Sequence, residues 1–246
     1  MAATFAVILP AAGKSSRFKG KEKKPFVALD GRPVWVHSAG LFVTRSDVKQ
    51  ILIVIAPEDL DKFKDRFAAN LMFMNIQVIA GGAERFESVA NALAHLAPEV
   101  DFVAVHDAVR PCTPGPVIDA VFQAAEKGGA ALPGVPVADT IKQVNNALEV
   151  EATLSRSGLW LAQTPQVFRR DWLEEAYRRR AEARGTITDD AQLVEALGHR
   201  VRIVPGALEN IKITTGDDVV MAERFLKSRK PEPPKARGPF DDERFR

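Results

Sequence analysis

Apolar residues in this chain fall into short unbroken runs separated by longer stretches with helical spacing. The runs at 5–9 (FAVIL), 50–56 (QILIVIA), 76–80, 101–105 and 130–135 read as strands buried on both faces. Between them, 34–43, 58–69, 84–97 and 114–126 carry the period of amphipathic helices. In the third of these, Phe86, Val89, Ala90, Leu93 and Leu96 share one face. Strands alternating with helices predict an α/β fold built on a mostly parallel, doubly wound sheet. The rhythm breaks after Pro136. Polar and apolar residues alternate across 137–157, with Asn145-Asn146 in the middle, which predicts a hairpin or β-arm projecting from the sheet. The α/β pattern then resumes: a strand at 166–168, helices at 170–184 and 189–197, strands at 201–204 and 210–214, and a helix at 217–227. The sequence thus reads as a single domain over 1–228. A Pro-rich, charged tail at 229–246 is too polar to build a core and is predicted to be disordered.

Composition narrows the function classes. The 246 residues are 46% hydrophobic and 27% charged, ordinary for a globular protein with a substantial core. The net charge of +2, carried entirely by the tail, argues against nucleic acid as a partner. The single cysteine, Cys112, forms no intramolecular disulfide and fits a reducing, cytoplasmic setting. No apolar run approaches the ~20 residues of a membrane span, so no membrane partner is expected. The four histidines have no metal-ligand spacing. There is no Walker-type phosphate loop, no dinucleotide fingerprint after the first strand and no nucleophile elbow.

The candidate chemistry lies where predicted strands end. Pro10-Ala11-Ala12-Gly13-Lys14-Ser15-Ser16-Arg17 follows the first strand, and Lys19, Lys21, Lys23 and Lys24 come next. Small residues let backbone N–H groups approach an anion closely, and the cations add charge beside it. This is the pattern of a triphosphate cradle; a tight turn with a solvated basic loop gives the same pattern. His106-Asp107-Ala108-Val109-Arg110-Pro111 follows the strand at 101–105. Ligands of open α/β sheets bind at such carboxyl ends, which favours a site over a mere Asp–Arg ion pair. Lys212 lies between Ile211 and Ile213 in a predicted strand and by itself reads as an outward-facing lysine. Thr188 reads as the N-cap of the helix at 189–197. Glu84, Arg85 and Ser88 open a helix after Gly81-Gly82, as ligand contacts or as surface polar residues.

Together the motifs resemble those of the 2-C-methyl-D-erythritol 4-phosphate cytidylyltransferase family. The matching text is LPAAGKSSRF with Lys24, GGAERFESV, HDAVRP, Asp139-Thr140, RSGLW, QTPQVF, TITDDA and NIKIT, in the family's order across about residues 5–227. The resemblance implies a Rossmann-like nucleotidyltransferase fold and cytidylyl transfer from CTP to a polyol phosphate. It also implies a homodimer in which each arm reaches into the partner's site. Arg17, Lys24 and Lys212 would be the catalytic cations. Pro10, Ala11, Ala12, Gly13, Gly81, Arg85, Ser88, Asp107 and Ala108 would bind CTP. Asp107, Arg110, Thr140, Arg156, Thr164 and Thr188 would bind the acceptor, with Thr140 and Arg156 given across the dimer. Mg²⁺ or another divalent cation would be held mainly by CTP phosphates, with Asp107 as protein ligand.

Three departures from the family pattern stand out. Ser15 replaces a glycine of the first loop. Ala83 stands where an acidic residue commonly follows the glycine pair. Lys23-Lys24-Pro25 replaces Pro-Lys-Gln, which makes Lys24 the catalytic lysine and Lys23 its competitor. Cytidylyl transfer to ribitol 5-phosphate shares many of these motifs, and a non-catalytic nucleotide-sensing module is the alternative from another class, against which Arg17, Lys24, Asp107 and Lys212 together argue.

Overall fold

The computed structural model describes residues 2–13, 22–182 and 187–229. The chain runs through strands β1 (Phe5–Pro10), β2 (Ala28–Leu29) and β3 (Arg32–Pro33), helix α1 (Val34–Val43), β4 (Val48–Ile55), α2 (Leu60–Phe73), β5 (Ile76–Ala80), α3 (Arg85–Leu93) and β6 (Phe102–Val105). It continues with α4 (Gly115–Gly128), β7 (Ala130–Pro136), β8 (Ile141–Val144), β9 (Val150–Leu154), β10 (Trp160–Ala162), β11 (Gln166–Arg169), α5 (Arg170–Arg178), α6 (Asp190–Ala196), β12 (Arg202–Pro205) and α7 (Gly216–Ser228).

Eight strands form the main sheet, in the order β10-β7-β11-β6-β1-β4-β5, with β12 also paired to β7. The pairs β1–β4, β4–β5, β1–β6 and β7–β12 are parallel; β11 runs antiparallel between β6 and β7, and β10 antiparallel to β7. The expected α/β fold with a mainly parallel sheet is therefore present. Side chains alternate across it as strand geometry requires. Phe5, Val7 and Leu9 pack with Trp35 and Phe42 of α1, Phe63 of α2 and Phe122 of α4. Ala6 and Ile8 pack on the other face with Val89 of α3, Leu173 of α5 and Leu193 of α6.

The expected hairpin is an antiparallel β8–β9 pair, with Ile141 opposite Leu154. Its turn is closed by Asn145 Oδ1, which accepts the Ala147 and Glu149 N–H groups at 2.9 and 3.0 Å.

Two expectations need correction. Residues 210–214 form no strand; they run irregularly, with Ile213 N donating to Val109 O at 2.9 Å. Ile213 is fully buried in a third cluster with Leu29, Val34, Cys112 and Ala222, and that packing made the stretch look like a strand. The N-cap of α6 is Asp189, not Thr188: the Asp189 carboxylate accepts the Gln192 N–H at 3.1 Å. The short strands β2, β3 and β10 lacked an apolar run long enough to register in the sequence. Of the predicted tail only Arg229 is described, and its guanidinium donates to Cys112 O.

Candidate active site

The parallel strands β1, β5 and β6 stop together, and the segments leaving them bound a cleft of ≈330 Å³. The chain steps from β1 outward to β4 on one side and later returns to β6 on the other. Such a reversal opens a crevice at the carboxyl ends of an α/β sheet. Ala11, Ala12 and Gly13 form one wall, Gly82 to Arg85 another, and Asp107 and Val109 the floor. Lys24 and Lys212 also face the cleft, so elements far apart in sequence converge there.

The wall after β5 requires close backbone approach. A Cβ on Gly81 would lie 2.7 Å from Ala12 Cβ and 2.9 Å from Ser88 Oγ, and one on Gly82 would lie 2.3 Å from Glu87 Cβ. Ser88 is buried; its hydroxyl donates to Glu84 O and accepts from Gly82 N, both at 3.1 Å. Arg85 donates to the buried Asp190 carboxylate at 2.7 Å, and Tyr177 donates to the same carboxylate. These residues are structural braces of the wall rather than loose surface groups. Asp190 lies within TITDDA, where no local signal marks it as the partner of Arg85, 105 residues away.

The floor is a charged cluster. Asp107 Oδ2 meets Lys212 Nζ at 3.0 Å and Arg110 Nε at 3.2 Å. Burial works against charge on Asp107, but Lys212, Arg85 and Arg110 outweigh it and hold the carboxyl well below the ordinary carboxylate range. Behind it, Thr164 Oγ1 accepts the Asp107 N–H at 3.1 Å and lies 3.1 Å from His106 Nδ1. His106 Nε2 faces Arg110 O at 3.1 Å. A carbonyl only accepts, so Nε2 carries the proton and Nδ1 accepts from Thr164. Burial holds His106 neutral, pushed down to about 4.

The two adjacent lysines part company. Lys23 Nζ pairs with Glu58 at 3.1 Å and with Asp59, on the turn before α2, while Lys24 lines the cleft. Arg17 lies outside the described residues. Of the other residues expected at CTP, Gly81 and Ala108 stand just behind the lining; Ala108 is buried and its carbonyl accepts from Ser38 at 2.9 Å.

The residues expected at the acceptor are not all gathered. Arg110 and Thr164 join the floor through Asp107. Thr188 lines an adjacent cleft that shares Glu84 and Arg85 with the first. Thr140 and Arg156 are exposed at the ends of the arm strands. Among the described residues no group of three or more His, Cys, Asp or Glu could cage a metal. The donor set fits magnesium held mainly by phosphate oxygens plus one carboxylate, Asp107. No described helix is long and apolar enough to cross a membrane.

Comparisons with known proteins converge. Residues 5–228 match the family model for 2-C-methyl-D-erythritol 4-phosphate cytidylyltransferase. The enzyme of that name from Pelotomaculum thermopropionicum is 42% identical over 225 residues, covering 91% of this chain and 94% of that protein. The one from Syntrophus aciditrophicus is 38% identical over 221 residues, covering 89% and 94%. The crystal structure of the Thermus thermophilus enzyme superposes with a TM-score of 0.73 at 30% identity, covering 89% of this chain and 98% of that one.

Proposed function

This chain belongs to the 2-C-methyl-D-erythritol 4-phosphate cytidylyltransferase family, and we propose that its cleft transfers the cytidylyl group of CTP to 2-C-methyl-D-erythritol 4-phosphate. The observation that carries this reading is the floor: an ionised Asp107 bridged by Lys212 and Arg110, with Lys24 lining the same cleft. A phosphate oxygen of the acceptor attacks the CTP α-phosphorus. The bond from that phosphorus to the bridging oxygen breaks, and pyrophosphate leaves with the electron pair. The nucleophile is a phosphate monoester with its second pKa near ~6, already largely dianionic at neutral pH, so no side chain need take a proton. The barrier is the approach of two polyanions, and fixed cations lower it.

Lys24 and Lys212 would hold the triphosphate and the charge that develops on the leaving group, together with Arg17. Ala11, Ala12, Gly13 and the Gly82–Arg85 wall with Ser88 would seat the nucleoside, with Gly81 giving the close backbone approach. A divalent cation, when bound, would neutralise phosphate charge beside Asp107. Thr164 would serve the acceptor side by holding the Asp107 backbone, since its own hydroxyl proton is turned to His106. Thr140 and Arg156 would reach acceptor phosphate in a homodimer with exchanged arms. The support is the apolar surface that the arm and its root expose, including Leu148, Val150, Leu154 and Leu161. Residues 1–228 would act as one catalytic domain in the cytoplasm, in keeping with a lone, buried cysteine.

The test is pyrophosphate release from CTP with either 2-C-methyl-D-erythritol 4-phosphate or ribitol 5-phosphate. Preference for the first is expected. Preference for ribitol 5-phosphate, or tight CTP binding with no turnover on either, overturns the reading.

A further inference from the structure

Lys212 stands on a stretch that no sheet holds. From Ala207 to Thr215 the backbone is neither helix nor strand, and Lys212 itself is half-exposed. A lysine on such a segment has a long, mobile stem whose ordering costs side-chain entropy. Yet its ammonium sits 3.0 Å from Asp107. Something two residues away does what a strand ladder would otherwise do. Asn210 is fully buried at the meeting of three segments. Its Nδ2 donates to Thr164 O at 2.9 Å and to Gln163 Oε1 at 3.2 Å. Its Oδ1 accepts from Thr113 Oγ1 at 2.8 Å. Its own carbonyl accepts from Arg110 Nη1 at 2.6 Å.

We infer that Asn210 is a positioning residue: its buried amide pins the 207–213 segment between the Thr164 turn and the turn after β6, and so fixes Lys212 against Asp107. Only a side-chain amide meets the geometry. It offers two donors to two acceptors and one acceptor to a hydroxyl. A carboxylate would lack the donors, and an alanine would leave Thr164 O without its donor in the interior, with Gln163 Oε1 and the Thr113 hydroxyl keeping only their longer contacts to Ala207 N at 3.4 Å and Arg110 O at 3.5 Å. The same Thr164 takes the Asp107 N–H on its hydroxyl and Asn210 on its carbonyl. One residue therefore ties the segment carrying the anion to the segment carrying the cation. The Arg110 bond goes to the Asn210 backbone, so substitution of the side chain tests the amide separately from that contact.

The inference rests on the reading that Lys212 acts on the triphosphate, and the experiment separates the two. Pyrophosphate release is measured for Asn210→Ala, Lys212→Ala and the double variant. Displacing Lys212 by about an ångström is expected to lower kcat roughly 10- to 100-fold while KM for CTP stays within about threefold. In the Lys212→Ala background, Asn210→Ala should cost less than about threefold more, because the group it positions is gone. A general weakening of the fold would instead multiply the two losses, and multiplication overturns the inference. Trace acetylation of Lys212 with acetic anhydride, read by peptide mass against Lys49 and Lys127, reports its placement without turnover. Faster labelling in Asn210→Ala is expected; an unchanged rate overturns the inference. If Lys212→Ala leaves kcat intact, the role of Lys212 fails, and the labelling still decides whether Asn210 holds it. Should Asn210→Ala not fold, Thr113→Val removes the donor to Oδ1. It is expected to lower kcat and raise Lys212 labelling by smaller amounts, and no change in either overturns the inference.

Discussion

At the floor of the cleft, Asp107, Arg110, Asn210 and Thr164 satisfy one another inside the protein, whereas along the arm Thr140 and Arg156 stand in solvent on a two-stranded hairpin. The floor is over-determined. Its side chains bond to partners from segments as much as 100 residues apart. The arm is held by its own ladder and by local bonds such as Lys142 Nζ to Thr153 Oγ1 at 2.7 Å. Isolated two-stranded hairpins are marginal in water, and this one leaves Val144, Leu148, Val150 and Leu154 largely exposed. A site that must stabilise charge in a fixed geometry is prepared in advance. A site completed by an arm can wait for what the arm meets. On the proposed function, the charged floor would be complete within one chain, and the arm's share of the acceptor site would be the part open to a second copy.

The largest effects should come from the cations of the prepared half. Lys24→Ala and Lys212→Ala are expected to lower kcat by roughly 10²- to 10³-fold, with KM for CTP changed far less, since they would act on charge that develops during transfer. Lys23→Ala is the internal control. Its Nζ is committed to Glu58 and Asp59 in a partly exposed ion pair, worth ~0–1 kcal/mol, so kcat should fall by less than about threefold. Steady-state kinetics of the three variants checks this. A loss at Lys23 equal to that at Lys24 would erase the distinction between the neighbours.

The arm gives the next effect. Arg156→Ala is expected to raise KM for the acceptor phosphate by roughly 10- to 30-fold, the worth of one charge-assisted contact, and to leave KM for CTP nearly unchanged. The sharper version mixes Arg156→Ala with Lys212→Ala after reversible dissociation. If arms are exchanged, hybrid dimers hold one site with both residues intact, and at acceptor concentrations below the raised KM the mixture gains activity beyond that of either variant. A mixture no more active than its components would return Arg156 to its own chain's cleft.

How much could be read in the sequence follows the same division. Strands β1 and β6, and β4 from Ile51 on, are buried on both faces, so each appears as a bare apolar run, whereas the edge strand β5 leaves Gln77 and Ala80 exposed; the cleft at their ends follows from their order. The hairpin was legible because alternation and Asn145-Asn146 are local signals. What escaped is held by distant partners. Asn210 sits in a stretch that looks like a strand, and its amide meets residues 46, 47 and 97 positions away. Thr188 looks like a cap because Asp189 next to it is also a good one. Lys23 and Lys24 are indistinguishable by type and spacing, and the carboxylates that separate them lie 35 and 36 residues on.

The smallest effect would sharpen the contrast through acid. His106 is buried and neutral, with its titration pushed from 6.5 down to about 4, whereas in the unfolded chain it takes a proton near its ordinary value. Between those two pH values the unfolded chain binds more protons than the folded one. Stability from this group is thus fully present above about pH 6.5 and is lost progressively as pH falls toward 4. From pH 7 to pH 5.5 the loss from this one group is about 1 kcal/mol, or roughly 2–4 °C in Tm for a domain of this size. His106→Gln replaces the titrating ring with a neutral side chain that can still donate to Arg110 O. It is expected to be less stable at pH 7 but to have a flatter Tm profile between pH 7 and 5.5. Thermal unfolding followed by circular dichroism at both pH values measures the two slopes. The arm should not contribute to this slope: Arg156→Ala should shift Tm by the same amount at both pH values. Equal slopes for wild type and His106→Gln would mean that the proton on unfolding is taken up elsewhere, and the floor would lose its claim to be the acid-sensitive half.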